Sequence, residues 1–121
     1  MSKISRHEVI EECAYSGIVE AGDFVFLSFC EGNAGQSFEA QVNGALDDMR
    51  RRLEMAGLSL ESVVKLDVLL QDRQHIPIME RVFQQRFNGK YPARKTISND
   101  FANNSGAGGL QIQIDAIAYK G

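Results

Sequence analysis

A chain of 121 residues, 44% apolar and 24% charged, is long enough to bury one core and too apolar for disorder, so a single domain over 1–121 is expected. A net charge of −3 without a basic stripe argues against nucleic acid as a partner. No leader-like segment and no long apolar run is visible, which predicts a cytoplasmic protein with reduced thiols and no membrane partner.

Residues 9–15 are an ambiguous start, readable as a short strand that ends at Tyr15. Residues 18–20 and 24–29 predict a hairpin turning on Ala21-Gly22-Asp23. Both faces of 24–29 are largely apolar, as in a strand covered on two sides. Residues 31–36 read as a loop, and Ser37 is a good N-cap. Phe38, Val42, Ala45, Leu46, Met49, Leu53 and Ala56 then recur at helical spacing until Gly57. Arg50-Arg51-Arg52 lies beside Asp47, Asp48 and Glu54 and reads as a solvated helix face.

Residues 63–70 predict a strand. Ile76, Met79, Val82, Phe83 and Phe87 predict a second amphipathic helix ending at Asn88-Gly89. Residues 94–99 and 110–119 predict the last two strands. The glycine-rich stretch 100–109 lacks GxxxxGK[ST] and a strand–loop–helix setting, so it is no phosphate cradle; it is either a lid or a surface insertion.

The order β-β-α-β-α-β-β predicts an α+β fold, a sheet with two helices on one face. The other face then needs a cover, and a partner subunit is the simplest one.

Among side chains able to do chemistry, Arg94 stands out. Pro92 fixes its own φ and holds Tyr91 extended, so Arg94 leaves a rigid point at a strand mouth. Its planar fork of donors suits a carboxylate or phosphate. His7 and His75 have no motif partners and read as surface residues. Cys13 and Cys30 match neither CxxC nor a metal spacing. Cys30 is the thiol expected nearer the pocket and the one to watch under oxidation.

Several segments in order carry a resemblance: Tyr15, Gly22-Asp23-Phe24-Val25-Phe26-Leu27-Ser28, residues 56–65, Tyr91-Pro92-Ala93-Arg94, and residues 112–118. Together they resemble the RidA family, also called YjgF-like, the reactive intermediate deaminases, over nearly the whole chain. The resemblance implies a chorismate-mutase-like fold, a homotrimer, and sites at clefts between subunits. It implies hydrolysis of a 2-imino or enamino acid to a 2-keto acid and ammonia, with no metal or organic cofactor.

By the same resemblance, Arg94 grips a small carboxylate-bearing substrate or else forms an ion pair inside the trimer interface, and Tyr15 offers its hydroxyl to the site or is a buried strand-end residue. Ser28 and Phe29 stand at the pocket wall. Phe29 replaces a glycine whose N–H helps hold the carboxylate; its ring fills part of the pocket, stacks on an aromatic ligand, or packs in core or interface. Thr96 replaces a residue often cysteine and offers a hydroxyl to a ligand.

Gln113 stands where the family's deaminases carry a glutamate. Its amide can orient water by hydrogen bonding but cannot accept the proton. Asp115, two residues on and about 7 Å away along a regular strand, either stands in as base or is paired or solvated. Three readings therefore remain: an imine hydrolase, a non-catalytic carboxylate-binding homologue, or a different hydrolase using Glu31 or Asp115. The family's older endoribonuclease label fits poorly with the acidic charge.

Overall fold

The computed structural model describes residues 3–100 and 109–121. Six strands and two helices follow in the order β1 (Ile4–Ile10), β2 (Tyr15–Ala21), β3 (Phe24–Cys30), α1 (Phe38–Met55), β4 (Val63–Leu70), α2 (Ile76–Phe87), β5 (Ala93–Ser98) and β6 (Ile112–Tyr119). They form one sheet ordered β1-β2-β3-β6-β4-β5. Among the described residues β4 and β5 pair in parallel, and the other four strand pairs are antiparallel. This is the mixed-sheet, chorismate-mutase-like α+β fold.

Local chemistry sets the helix ends. The Ser37 side chain accepts from the Ala40 N–H at 3.2 Å, satisfying an orphan donor of the first turn. Asn88, at φ 51°, ends α2 in the left-handed conformation that asparagine tolerates.

One helix face is apolar in each case. Leu46, Met49 and Leu53 of α1 join Met79, Val82 and Phe83 of α2 in a single buried cluster. The sheet contributes alternate residues to it: Val25 and Leu27, Leu66, Val68 and Leu70, and Ile112, Ile114 and Ala116. Both helices therefore cover the same face. The intervening positions point the other way, and Phe24, Phe26, Ile97 and Tyr119 stay exposed there. Phe24 and Tyr119 are cross-strand partners with ring centroids 5.4 Å apart.

Two expectations are corrected. The first strand is Ile4–Ile10 rather than a short piece within 9–15; a 3-10 turn at Glu11–Cys13 then leads to Tyr15, which opens β2. Its residues are almost all exposed, so no burial pattern marks it; pairing with β2 holds it. The second concerns the arginine triplet. Arg50 and Arg51 are solvated, but Arg52 is 7% exposed. It lies under α1, where a fold-level need for donors overrides its charged neighbourhood.

That need arises at a bulge. Leu27 pairs with Ala116 and Cys30 with Ile114, so Ser28 and Phe29 together oppose Asp115. Phe29 takes φ 59°, unusual for a bulky residue. Arg52 donates to the Gly17, Ser28 and Phe29 carbonyls at 3.1, 2.7 and 3.2 Å. Asp48 neutralises it, with Oδ2 2.7 Å from Nη2. The bulge carbonyls thus receive charge-assisted bonds where ladder bonds are missing.

A second buried polar residue ties α1 to β6. Gln41 is fully buried; its Nε2 donates to the Gln36 and Gly109 carbonyls, and its Oε1 accepts from the Gln111 N–H at 2.8 Å. Gly109 and Gln111 are therefore held at a fixed point against α1. Residues 101–108 of the glycine-rich stretch lie outside the described residues.

Candidate functional site

Parallel pairing of β5 with β4 decides where Arg94 points. Leu66 is its cross-strand partner, and Leu66 faces the helices, so Arg94 does too. β5 is the sheet edge, and α2 stops short of covering it. The gap is a cavity of about 440 Å³ lined by Leu66, Glu80, Phe83, Gln84, Phe87, Tyr91, Pro92 and Arg94. Glu80, Phe83, Gln84 and Phe87 fall at i, i+3, i+4 and i+7, which brings them to one stripe of α2. Pro92 at the strand entry has no N–H to leave unpaired.

Arg94 reaches across the cavity mouth. Its Nη2 donates to Glu80 Oε2 at 2.9 Å, and its guanidinium carbon lies 5.9 Å from the Phe83 ring centroid. The Arg94 side chain is 30% exposed and Glu80 47%. Solvent screens such a pair, so a ligand anion can replace Glu80 at small cost. Thr96 follows on the same face, beside Val68; its Oγ1 is buried without a partner among the described residues.

Gln113 lies on the opposite face. It pairs with Leu69 of β4, one strand from β5, and its alternate neighbours Ile112 and Ile114 are the ones that meet the helices. It is 6% exposed, yet its Nε2 has no acceptor among the described residues. A buried amide of this kind is costly unless something else receives its hydrogens. Within one chain, then, the arginine and the glutamine are separated by the thickness of the sheet.

Asp115 shares the Gln113 face, and its role is visible. Its Oδ1 accepts from the Phe29 N–H at 2.9 Å. The backbone donor that the family resemblance offers to a substrate carboxylate is here engaged by an internal one. Ser28 is likewise engaged, its Oγ donating to the Ser16 carbonyl at 3.1 Å. Tyr15 is half-buried at the start of β2, with β3, β6 and β4 between it and Arg94.

The remaining candidates sit elsewhere. The Glu31 N–H donates to Asp48 at 3.4 Å, which places it at the α1 junction. Burial, and then the nearby Asp48 charge, push its carboxyl above the ordinary range. Cys30 is not the oxidation-prone thiol expected: it is fully buried, and burial pushes it up to about 12. His7 is a surface residue paired with Glu20 at 2.7 Å. His75 is half-buried and stacks on Phe38 at 4.2 Å, so it is not a free surface group.

Glu80, Gln84 and the aromatic wall were missed by sequence reasoning. The i, i+3, i+4, i+7 stripe was present in the sequence, but only Phe83 and Phe87 were read, as part of the apolar face of the helix, and Glu80 and Gln84 drew no reading.

The family model described as Endoribonuclease L-PSP matches residues 6–120. A RutC family protein of Pyrococcus horikoshii is 29% identical over 113 residues, covering 88% of this chain and 86% of that protein. A 2-iminobutanoate/2-iminopropanoate deaminase of Dermatophagoides farinae is 27% identical over 93 residues, 69% of this chain and 70% of its own. Among solved structures, a Streptococcus pyogenes M1 GAS protein of the yjgF family superposes with TM-score 0.91 at 50% identity, covering 98% of both chains. RidA from an Antarctic Psychrobacter gives 0.78 at 28% identity, covering 87% of both. With a site-bearing arginine on a Tyr-Pro-Ala-Arg strand entry and a family match over nearly its full length, the chain belongs to the Endoribonuclease L-PSP family, the RidA/YjgF family.

Proposed function

We propose that this protein hydrolyses 2-imino or enamino acids to 2-keto acids and ammonia, with Arg94 gripping the carboxylate. The observation that carries the reading is Arg94 itself: half-exposed, with one weakly held ion-pair partner among the described residues, at the mouth of an aromatic-walled cavity. A family relative named as an imine deaminase supports the reaction class. The chemistry asks little of the protein. A protonated imine is already electrophilic, so orientation and a positioned water supply most of the help.

In this reading three chains assemble through the exposed Phe24–Phe26–Tyr119 face, in the cytoplasm. The Gln113 face of one chain then completes the Arg94 cavity of another. Gln113 orients water and substrate. Tyr15, Thr96 and the Ser28–Phe29 bulge contribute hydroxyls and wall.

A second reading has its own observation: Gln113 cannot take a proton, so the protein binds small carboxylates without turnover.

The test generates imino acids in place with an amino-acid oxidase and compares wild type, Arg94→Ala and Gln113→Glu. The expected result is wild-type hydrolysis that falls at least about 100-fold in Arg94→Ala. Activity in Gln113→Glu alone would favour the binding reading. Silence in all three would reject the imine reaction. Sedimentation of the wild type at the mass of one chain would reject the assembly.

A further inference from the structure

The cavity beside α2 holds a charge that carboxylate binding leaves unused. Glu80 and Arg94 both line it, 2.9 Å apart, above an apolar wall of Leu66, Phe83, Phe87 and Tyr91. A ligand bearing only a carboxylate takes Arg94 from Glu80 and leaves Glu80 facing a second anion. A ligand bearing a carboxylate and a protonated nitrogen on neighbouring carbons avoids that conflict. It exchanges one internal pair for two pairs to itself, and the internal pair is solvent-screened and cheap to open.

We infer that Glu80 is the specificity-determining partner of Arg94, receiving the protonated nitrogen of a zwitterionic 2-iminium or 2-amino carboxylate whose apolar side chain packs on Phe83, Phe87 and Tyr91. The identity of the ligand rests on the imine-hydrolase reading above. The juxtaposition also orders the reaction. Water adds to the C=N carbon, the C–N bond breaks, and R–C(=NH2⁺)–COO⁻ plus H2O becomes R–C(=O)–COO⁻ plus NH4⁺. Substrate is a zwitterion and product an anion. Hydrolysis removes the group Glu80 holds, Glu80 returns to Arg94, and the keto acid is expelled.

Titration calorimetry on the assembled protein tests this with L-phenylalanine, a stable zwitterion, and phenylpyruvate, its keto acid. Wild type is expected to bind the zwitterion at least about tenfold more tightly. Glu80→Gln is expected to lose that preference and to bind the keto acid several-fold more tightly than wild type does, because Arg94 is released. Glu80→Asp keeps the charge and is expected to retain part of the preference. Glu80 is largely exposed, and thermal melts check that each variant is folded.

A preference unchanged in Glu80→Gln, or a wild type that prefers the keto acid, overturns the inference. If imine turnover persists in that case, the hydrolase reading stands without it. If wild type binds neither ligand and turns over no imine, the reading and the inference fall together.

Discussion

Arg52 and Arg94 both stand against the helix-covered side of the sheet, one beneath α1 and one at the β5 edge. Arg52 has all five N–H donors engaged: three bonds to backbone carbonyls of Gly17, Ser28 and Phe29, and two to Asp48. Arg94 has one, to Glu80, among the described residues. The difference separates scaffold from site. An arginine whose donors end on backbone carbonyls repairs a gap in the sheet's own bonding. An arginine with spare donors beside a cavity is available to something the chain does not contain.

The sharpest way to break the comparison is to remove each in turn. Arg52→Ala strips bonds from three carbonyls and leaves Asp48 without its buried partner, for an expected loss of about 3–5 kcal/mol. Arg94→Ala is expected to cost under about 1 kcal/mol, since it loses only a screened pair. Urea unfolding measures both. Equal losses would return Arg94 to the scaffold and take away the cavity's claim to a ligand.

A smaller effect is expected at Asp115, the other prop of the bulge. Asp115→Ala removes the acceptor of the Phe29 N–H in a solvent-accessible bond, worth about 0.5–1.5 kcal/mol. Asp115→Asn keeps an amide oxygen there and should recover most of it. If Asn is as damaging as Ala, the carboxylate has a role beyond bracing Phe29.

Acid should loosen the α1 side before the β5 edge, and this is the smallest effect. Hydrogen bonding to Arg51 holds Glu8 below the ordinary 4.5 of a glutamate, despite partial burial. Lys120, and then His7, do the same for Glu20. Their folded values are depressed, so their contribution is present above about pH 4.5 and fades as the pH falls through the lower folded value. Glu31 runs the opposite way: its raised value favours the protonated form, so its ionisation costs stability as the pH rises past 4.5. Thermal midpoints from pH 7 to 3 should fall, and less steeply in Arg51→Gln. An unchanged slope in that variant would assign the acid loss to other carboxylates.

How far the sequence could be read follows from the range of the interactions. Helix α1 and strand β4 were legible because their patterns are local: seven apolar residues at helical spacing after Ser37, and 63–70 between turn signals. Arg94 was legible because Pro92 lies two residues away. Arg52 was not, since the backbone carbonyls it bonds are 23, 24 and 35 residues distant and nothing near it in sequence announces a bulge. The opposition of Arg94 and Gln113 was also hidden. It depends on Leu66 pairing with Arg94 and Leu69 with Gln113, a register that exists only once three strands have assembled.

The two cysteines give the protein a built-in reporter. Cys13 lies exposed in the turn between β1 and β2, while Cys30 is sealed under α1 with its thiolate suppressed. A maleimide at neutral pH therefore finds one target per native chain, at the β1–β2 edge of the sheet, opposite the β5 edge that borders the cavity. Uptake of a second label would time the parting of α1 from β3, reading the motion of the scaffold without a dye inside the Arg94 cavity of the same chain.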